Sequence, residues 1–531
     1  MHDVVIRNGT VYDGEGGMPY AADVAIDGDR ISAVMPAIGD RGRREIDAAG
    51  LAVGPGFINM LSWAIPSLIA DGRAQSDVRQ GVTLEVFGEG SSMGPLTDEM
   101  RRDHIERQTD IKYDVPWTTL REGLEHLVRR GVSVNVASFV GATTLRVHEV
   151  GYDDRPATPA ELERMRALAR DAAAEGALGV GSALIYTPGT FASTDELVGL
   201  SEATGGTYIS HLRNEGDRLL EAVDELIEIT RRAKVRGEIY HLKEAGRANW
   251  SKLPAVIERV ESARAAGLDI TADMYTYTAG ATGLNASMPP WVQEGGFKAW
   301  FVRLRDPAVR ERVAREMRAP GKEWENLYLA AGGAEGVLLV SFKTARLKQL
   351  TGKTLAEVAR LRSVSPEEAA IDLVVEDESR VGACYFVASE DNLRRQVALP
   401  WMSFGSDEGA PAPEGVFLKS NPHPRAYGTF ARLLGHYVRD EGLASLEDVI
   451  RRLTSFPAEN LGLAKRGRLA RGYFADIVAF DASSIGEHAT YADPHRYATG
   501  MVHVFVNGDQ VLRDGEHTGA RPGRVLAPGR D

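Results

Sequence analysis

A chain of 531 residues exceeds what one hydrophobic core ordinarily supports, so a large domain with a smaller accessory one is expected. Hydrophobic residues at 43% and charged residues at 26% are ordinary globular values, which excludes disordered, fibrous and membrane classes. A balance of 62 basic against 75 acidic residues, a formal charge of -13, offers no basic stripe for nucleic acid.

Taken in chain order, residues 4–7, 23–26 and 30–34 read as short strands punctuated by Asn8-Gly9 and Asp27-Gly28 turns. The N-terminus shows no basic-then-apolar leader, and no apolar run of about 18 residues occurs, so a cytoplasmic protein without a membrane partner is expected. Residues 477–480 and 502–506, with the Asn507-Gly508 turn, repeat the opening style at the far end. Neither meander can bury its apolar face alone. The two ends are therefore expected to pair into one small β-sandwich of residues 1–55 and 465–531.

Between them, eight short apolar runs alternate with helical stretches: 53–58, 82–87, 132–140, 178–184, 208–211, 238–241, 270–275 and 402–405. Helices are plain at 160–175, 217–234 and 253–266, with apolar residues at three- and four-residue spacing. This alternation predicts an α/β fold, a (β/α)8 TIM-like barrel over residues 56–464. The rhythm breaks after the seventh strand. Residues 284–342, rich in Trp, Arg and Glu, read as an inserted subdomain on a βα loop, placed to cover the active-site face. The single cysteine, Cys384, allows no disulfide framework and is expected to be a buried core thiol.

Polar groups at the carboxyl ends of barrel strands point into the mouth and are the first candidates for catalysis. Four meet that test: Glu89 after the second strand, His211 ending the fifth, His241 ending the sixth and Asp407 after the eighth. A lone strand-end histidine is usually a satisfied core residue, but two ending consecutive strands point to metal ligation. Lys243, two residues beyond His241, is expected on the same strand face. Glu85 would be a costly unpaired charge if it faced the interior.

The segments His211-Leu212-Arg213-Asn214-Glu215, His241-Leu242-Lys243, Asp273-Met274-Tyr275-Thr276-Tyr277-Thr278-Ala279-Gly280, Gly405-Ser406-Asp407 and His423-Pro424-Arg425-Ala426-Tyr427-Gly428-Thr429-Phe430 recur together and in order. In them, and over nearly its whole length, the chain resembles the N-acyl-D-amino-acid deacylase (D-aminoacylase) family of the amidohydrolase superfamily. The resemblance implies that His211 and His241 hold a tightly bound zinc ion, and that Asp407 is the general base. It further implies that Lys243, Tyr275 and Tyr277 grip the substrate carboxylate or polarise its carbonyl. Arg425 is expected either to clamp an acidic substrate group or to lie at the surface before a helix.

The departures are as informative. Superfamily members usually carry His-x-His after the first strand, where this chain has Leu61 and Trp63, which offer no ligand atom. The family's bridging cysteine after the second strand is also missing; Gly90 occupies its position and Glu89 is the nearest donor. The expected site is thus one divalent ion, zinc first, on Glu89, His211 and His241. Leu61 and Trp63 would shape an apolar wall for the acyl chain. The expected activity is hydrolysis of N-acyl-D-amino acids or similar small amides by attack of metal-bound hydroxide. Two alternatives stand beside it: a D-specific dipeptidase or carboxypeptidase on the same site, and a catalytically silent binding protein.

Overall fold

A computed structural model describes residues 1–321 and 324–529. Residues 322 and 323 of the expected insertion, and 530 and 531 of the terminal segment, lie outside the described residues. The two ends of the chain meet in one nine-stranded sheet. Strands His2–Val11, Tyr20–Asp27, Arg30–Met35, Gly42–Asp47 and Ala52–Pro55 join Ile477–Phe480, Met501–Val506, Asp509–Arg513 and Glu516–His517. The seam is antiparallel, Ala52–Pro55 against Ile477–Phe480. One consequence corrects the expected first barrel strand: its leading half belongs to the terminal sheet, and only the residues after Gly56 enter the parallel set.

The Asn507-Gly508 turn falls as expected, while the turn expected at Asp27-Gly28 sits one residue later, at Gly28-Asp29; Gly28 and Gly508 both take positive φ (59° and 85°). Asn8-Gly9 is not a turn. His2–Val11 runs through it as a bulge, its register slipping between Ile6 and Gly9. Gly9 is needed there for close packing, since a Cβ on it would lie 2.5 Å from Val53 Cγ2.

Eight parallel strands follow: β1 (Phe57–Asn59), β2 (Val82–Phe87), β3 (Asn135–Ser138, resuming at Val140–Gly141), β4 (Gly179–Ala183), β5 (Thr207–His211), β6 (Gly237–Ile239), β7 (Ile270–Met274) and β8 (Met402–Phe404). Each pairs in parallel with its successor in the chain. Beyond β8, Met60 N–H donates to Phe404 O at 3.2 Å and Asp407 N–H to Leu61 O at 2.8 Å. Helices between strands carry the signals of their sequences. In Pro159–Glu175, Thr158 and Glu161 form a capping box, Pro159 starts the first turn, and Gly176 ends it at φ 113°. That helix buries Met165, Ala169 and Ala172, one face at four- and three-residue spacing.

Between β7 and β8 lies a three-stranded antiparallel sheet of Ala279–Gly283, Gly382–Phe386 and Val337–Ser341. It shares a separate apolar core with helices Pro307–Met317 and Pro366–Asp377, including Leu284, Trp300, Val313, Ile371 and Tyr385. This core reaches Val387, well past residue 342. Cys384 is buried within the sheet. Among the described residues no helix is long and apolar enough to cross a membrane.

Candidate active site

The polar groups singled out by strand position collect beyond the carboxyl ends of the parallel strands. After β2 the chain reads Gly88-Glu89-Gly90, with both glycines at positive φ (114° and 66°). A Cβ on Gly88 would meet Phe139 O at 2.5 Å, and one on Gly90 would meet Ala183 Cβ at 2.7 Å. Glycine on either side thus lets the loop tuck in and deliver Glu89 to the interior. Glu89 Oε1 lies 2.9 Å from His211 Nδ1 and 3.0 Å from His241 Nε2.

His211 closes β5, whereas His241 sits two residues past β6 in a turn, at φ 33°. Asp273 Oδ1 holds its backbone N–H at 2.8 Å, which anchors this uncommon conformation. Lys243 folds back so that its Nζ is 2.7 Å from His241 Nδ1 and donates to His241 O at 3.0 Å and Glu215 Oε1 at 2.8 Å. Proximity therefore comes from the turn and not from strand alternation, which has ended by then. Lys243 thus braces His241 and Glu215, and it lines the same cavity as Tyr275.

Glu215 was not singled out in the sequence. Its Oε1 is 3.2 Å from His241 Nδ1, and its Oε2 is 3.5 Å from His211 Nε2. An acid four residues after a strand-end histidine was the available signal.

Asp407 stands just after β8 at φ 51°. Its Oδ2 is 2.8 Å from Arg425 Nη1, and its Oδ1 accepts the indole N–H of Trp63 at 3.1 Å. Arg425 is only 1% exposed and stacks on Tyr275 at 4.4 Å, which overturns the surface alternative for it. Tyr275 faces the same cavity, its hydroxyl without a hydrogen-bond partner. Tyr277 does not line that cavity. The chain bends after β7, and its ring turns toward Gly428 and Arg432, the latter 5.5 Å away. Leu61 is likewise in the apolar core with Ile58 and Leu84, so only Trp63 reaches the cavity wall. Glu85 meets Asn59 Nδ2 at 2.9 Å, a group that also serves Asp77 and Ser406. Burial raises both of these carboxyls, and Glu85 adds to the rise at Asp77.

The cavity encloses about 530 Å³. Strand-end residues form one wall; Asn285, Phe297, Arg380 and Tyr385, from the segment between β7 and β8, form the other. Arg380 is held by neutral acceptors, Asn285 Oδ1 at 2.8 Å and Thr282 Oγ1 at 2.7 Å, and pairs with no acid among the described residues. The sequence reading ended the insertion at 342 and so passed over it.

Electrostatically the site is built for positive charge. Burial alone would raise the Glu89 carboxyl, but hydrogen bonds from both histidines hold it well below the ordinary range. Glu215 behaves alike, burial opposed by Lys243 and the two imidazoles. Burial and Lys243 depress His241, yet Glu215 and Glu89 together lift it to about 10. Asp407 is raised, burial outweighing the pull of Arg425 and His241. Glu89, His211 and His241 bring one ligand atom each to within 4.8 Å of one another, and His211 Nε2 is buried without a hydrogen-bond partner. Two imidazoles and a carboxylate with an anionic surround fit a divalent cation.

A model of the amidohydrolase family matches residues 116–512. The chain is 32% identical to D-aminoacylase of Alcaligenes xylosoxydans xylosoxydans, covering 99% of this chain and 97% of that one. It superposes on a solved D-aminoacylase, studied for the functional role of its binuclear metal centre, with TM-score 0.82 and 32% identity. That match covers 99% of this chain and 100% of the other. N-acyl-D-glutamate deacylase from Bordetella bronchiseptica, solved with zinc and a phosphonate mimic of the tetrahedral intermediate, matches at TM-score 0.80 and 27% identity over 99% of each chain. The chain therefore belongs to the amidohydrolase family, in its D-aminoacylase and N-acyl-D-amino-acid deacylase branch, enzymes that act on amide bonds. It is a divergent member that lacks the His-x-His motif.

Proposed function

We propose that this protein hydrolyses the amide bond of N-acyl-D-amino acids or closely related small amides, using one divalent metal ion, zinc first, held by Glu89, His211 and His241. The observation that carries this reading is the convergence of those three donors with Asp407 on one cavity of about 530 Å³, a size suited to such a substrate. The parallel strands are read as a closed (β/α)8 barrel, supported by the hydrogen bonds from Met60 and Asp407 that tie β8 to the end of β1. The chain is divided accordingly: residues 1–55 and 465–531 as a terminal β-sandwich, residues 56–464 as the barrel. The segment between β7 and β8, its core extending to Val387, covers the site.

A divalent ion, when bound, supplies Lewis acidity and lowers the pKa of an attacking water. Everything else falls to the chain. Asp407 takes the proton of the attacking water and returns it to the leaving amine. Its raised pKa brings it nearer the neutral range in which a base is most effective, and Arg425 fixes its orientation. Lys243 and Glu215 hold His241 and His211 from behind. Arg380, with no acidic partner among the described residues, is the cation that receives the substrate carboxylate, with Tyr275 offering its unpartnered hydroxyl beside Arg425. With the carbonyl anchored at one end and the carboxylate at the other, the cavity wall that accepts the side chain is the third contact that fixes the hand.

The test is a panel of N-acetyl-D- and N-acetyl-L-amino acids against protein dialysed and then supplied with zinc. Zinc-dependent turnover of the D series is expected. Equal turnover of both hands would overturn the two-anchor scheme, and no turnover of either would overturn the reading.

A further inference from the structure

We propose that Trp63 is a positioning residue that confines this site to a single ion: its indole N–H occupies the carboxylate oxygens a second cation would need. The inference rests on the metal-dependent reading above. Each oxygen of Glu89 has its own work. Oε1 is shared by His211 and His241, while Oε2 accepts the Trp63 N–H at 3.1 Å. Asp407 is divided in the same way, Oδ2 facing Arg425 at 2.8 Å and Oδ1 accepting that same N–H at 3.1 Å.

One hydrogen thus sits between the two outward-facing carboxylate oxygens of the site. If Glu89 held one ion through Oε1, Oε2 would be its oxygen left for a second, and Asp407 Oδ1 accepts from the same indole N–H. A cation there would have to expel the indole, which donates and cannot ligate. Leu61, the other residue of the altered motif, offers no replacement donor, being buried in the apolar core. The tryptophan does a second service. Two carboxylates facing one point repel one another, and a shared N–H relieves that repulsion without adding a charge, holding Asp407 in place for proton transfer. Trp63 achieves this from the cavity wall, where it is 45% exposed.

The experiment compares wild type with Trp63→Phe, which keeps the ring and removes the N–H, and Trp63→His, which supplies a ligand atom. Zinc content is measured after dialysis against graded zinc, alongside kcat and KM for an N-acetyl-D-amino acid. Wild type is expected to hold one ion per chain at every zinc level, and Trp63→His to take up two, three protein ligands then being available to the second. Trp63→Phe should lose about tenfold in kcat at nearly unchanged KM, the loss expected when a hydrogen bond to a charged group is removed. Two ions in wild type would overturn the proposal, as would variants matching wild type in both stoichiometry and kcat. Should Trp63→His fail to fold, wild-type stoichiometry and the kcat of Trp63→Phe still decide. A wild-type protein that takes up no metal overturns the functional reading and this inference together. One bound ion without turnover overturns the functional reading alone and leaves the stoichiometric contrast to judge the tryptophan.

Discussion

Replacing Glu215 by glutamine tests whether the centre depends on the carboxylate behind its ligands. Glu215 is 2% exposed, with Oε1 2.8 Å from Lys243 Nζ and 3.2 Å from His241 Nδ1. Glutamine keeps the shape, removes the charge and turns one acceptor into a donor. Losing an outer partner of a ligating histidine typically costs about 10- to 100-fold in metal affinity, or about 1.4–2.8 kcal/mol. Breaking a buried ion pair by removing one partner typically costs about 3–5 kcal/mol, through the charge left behind. Lys243 would retain His241 O as an acceptor, so the lower end, about 3 kcal/mol, is expected. Zinc affinity is read by competition with a coloured chelator, and stability by the denaturation midpoint of the metal-free protein. A Glu215→Gln protein with wild-type affinity and midpoint would show that the carboxylate neither supports the ligands nor balances Lys243.

Asp407→Asn should lose about 10²- to 10⁴-fold in kcat while KM and metal content hold, because proton transfer is a transition-state task; near-normal kcat in steady-state assays would remove Asp407 from the mechanism. Leu61→Ala should cost about 2–5 kcal/mol of stability by opening a core cavity, yet leave bound zinc unchanged on elemental analysis; a folded variant without metal would contradict its placement in the core. Arg425 lowers the Asp407 carboxyl, so Arg425→Met should raise it further and move the acidic limb of kcat/KM to higher pH. An unmoved limb would mean that Asp407 is not the group being titrated.

Strand position and motif order were legible because they depend on local pattern. Runs of apolar residues bounded by turns located all eight parallel strands, and a polar residue following such a run placed Glu89, His211, His241 and Asp407 on one face. What escaped were contacts set by geometry outside regular elements. Tyr277 was grouped with Tyr275 on the resemblance alone, but the chain bends after the seventh strand and turns its ring away from the cavity. Lys243 lies near His241 for a reason alternation does not supply, a turn in which His241 takes positive φ. Glu215 and Arg380 were passed over because a carboxylate or guanidinium reads the same in sequence whether it is solvated or faces a cavity, and only the four-residue spacing of Glu215 from His211 marked either. Trp63 was read as an absent ligand and an apolar wall, since nothing local to residue 63 reveals that two carboxylates from distant strands end beside its N–H.

The charge state of His241 gives the centre a pH dependence whose sign can be worked out. Burial and Lys243 push its pKa down from the ordinary 6.5, but Glu215 and Glu89 more than offset them and lift it to about 10. A group raised on folding contributes stability that is fully present below its unfolded pKa and lost as pH rises through the folded one. The metal-free protein should therefore be favoured by this ring below pH 6.5 and lose that contribution toward pH 10. Metal binding runs the other way. An imidazole protonated on both nitrogens cannot be a ligand, so the ion must expel the proton, and affinity should climb about tenfold per pH unit across the neutral range. Calorimetric titration of the metal-free protein with zinc, in buffers of different ionisation enthalpy, should show about one proton released per ion. No release, with an affinity flat in pH, would mean that His241 is neutral before the ion arrives, and that Glu215 is spent on Lys243 instead of on the ring.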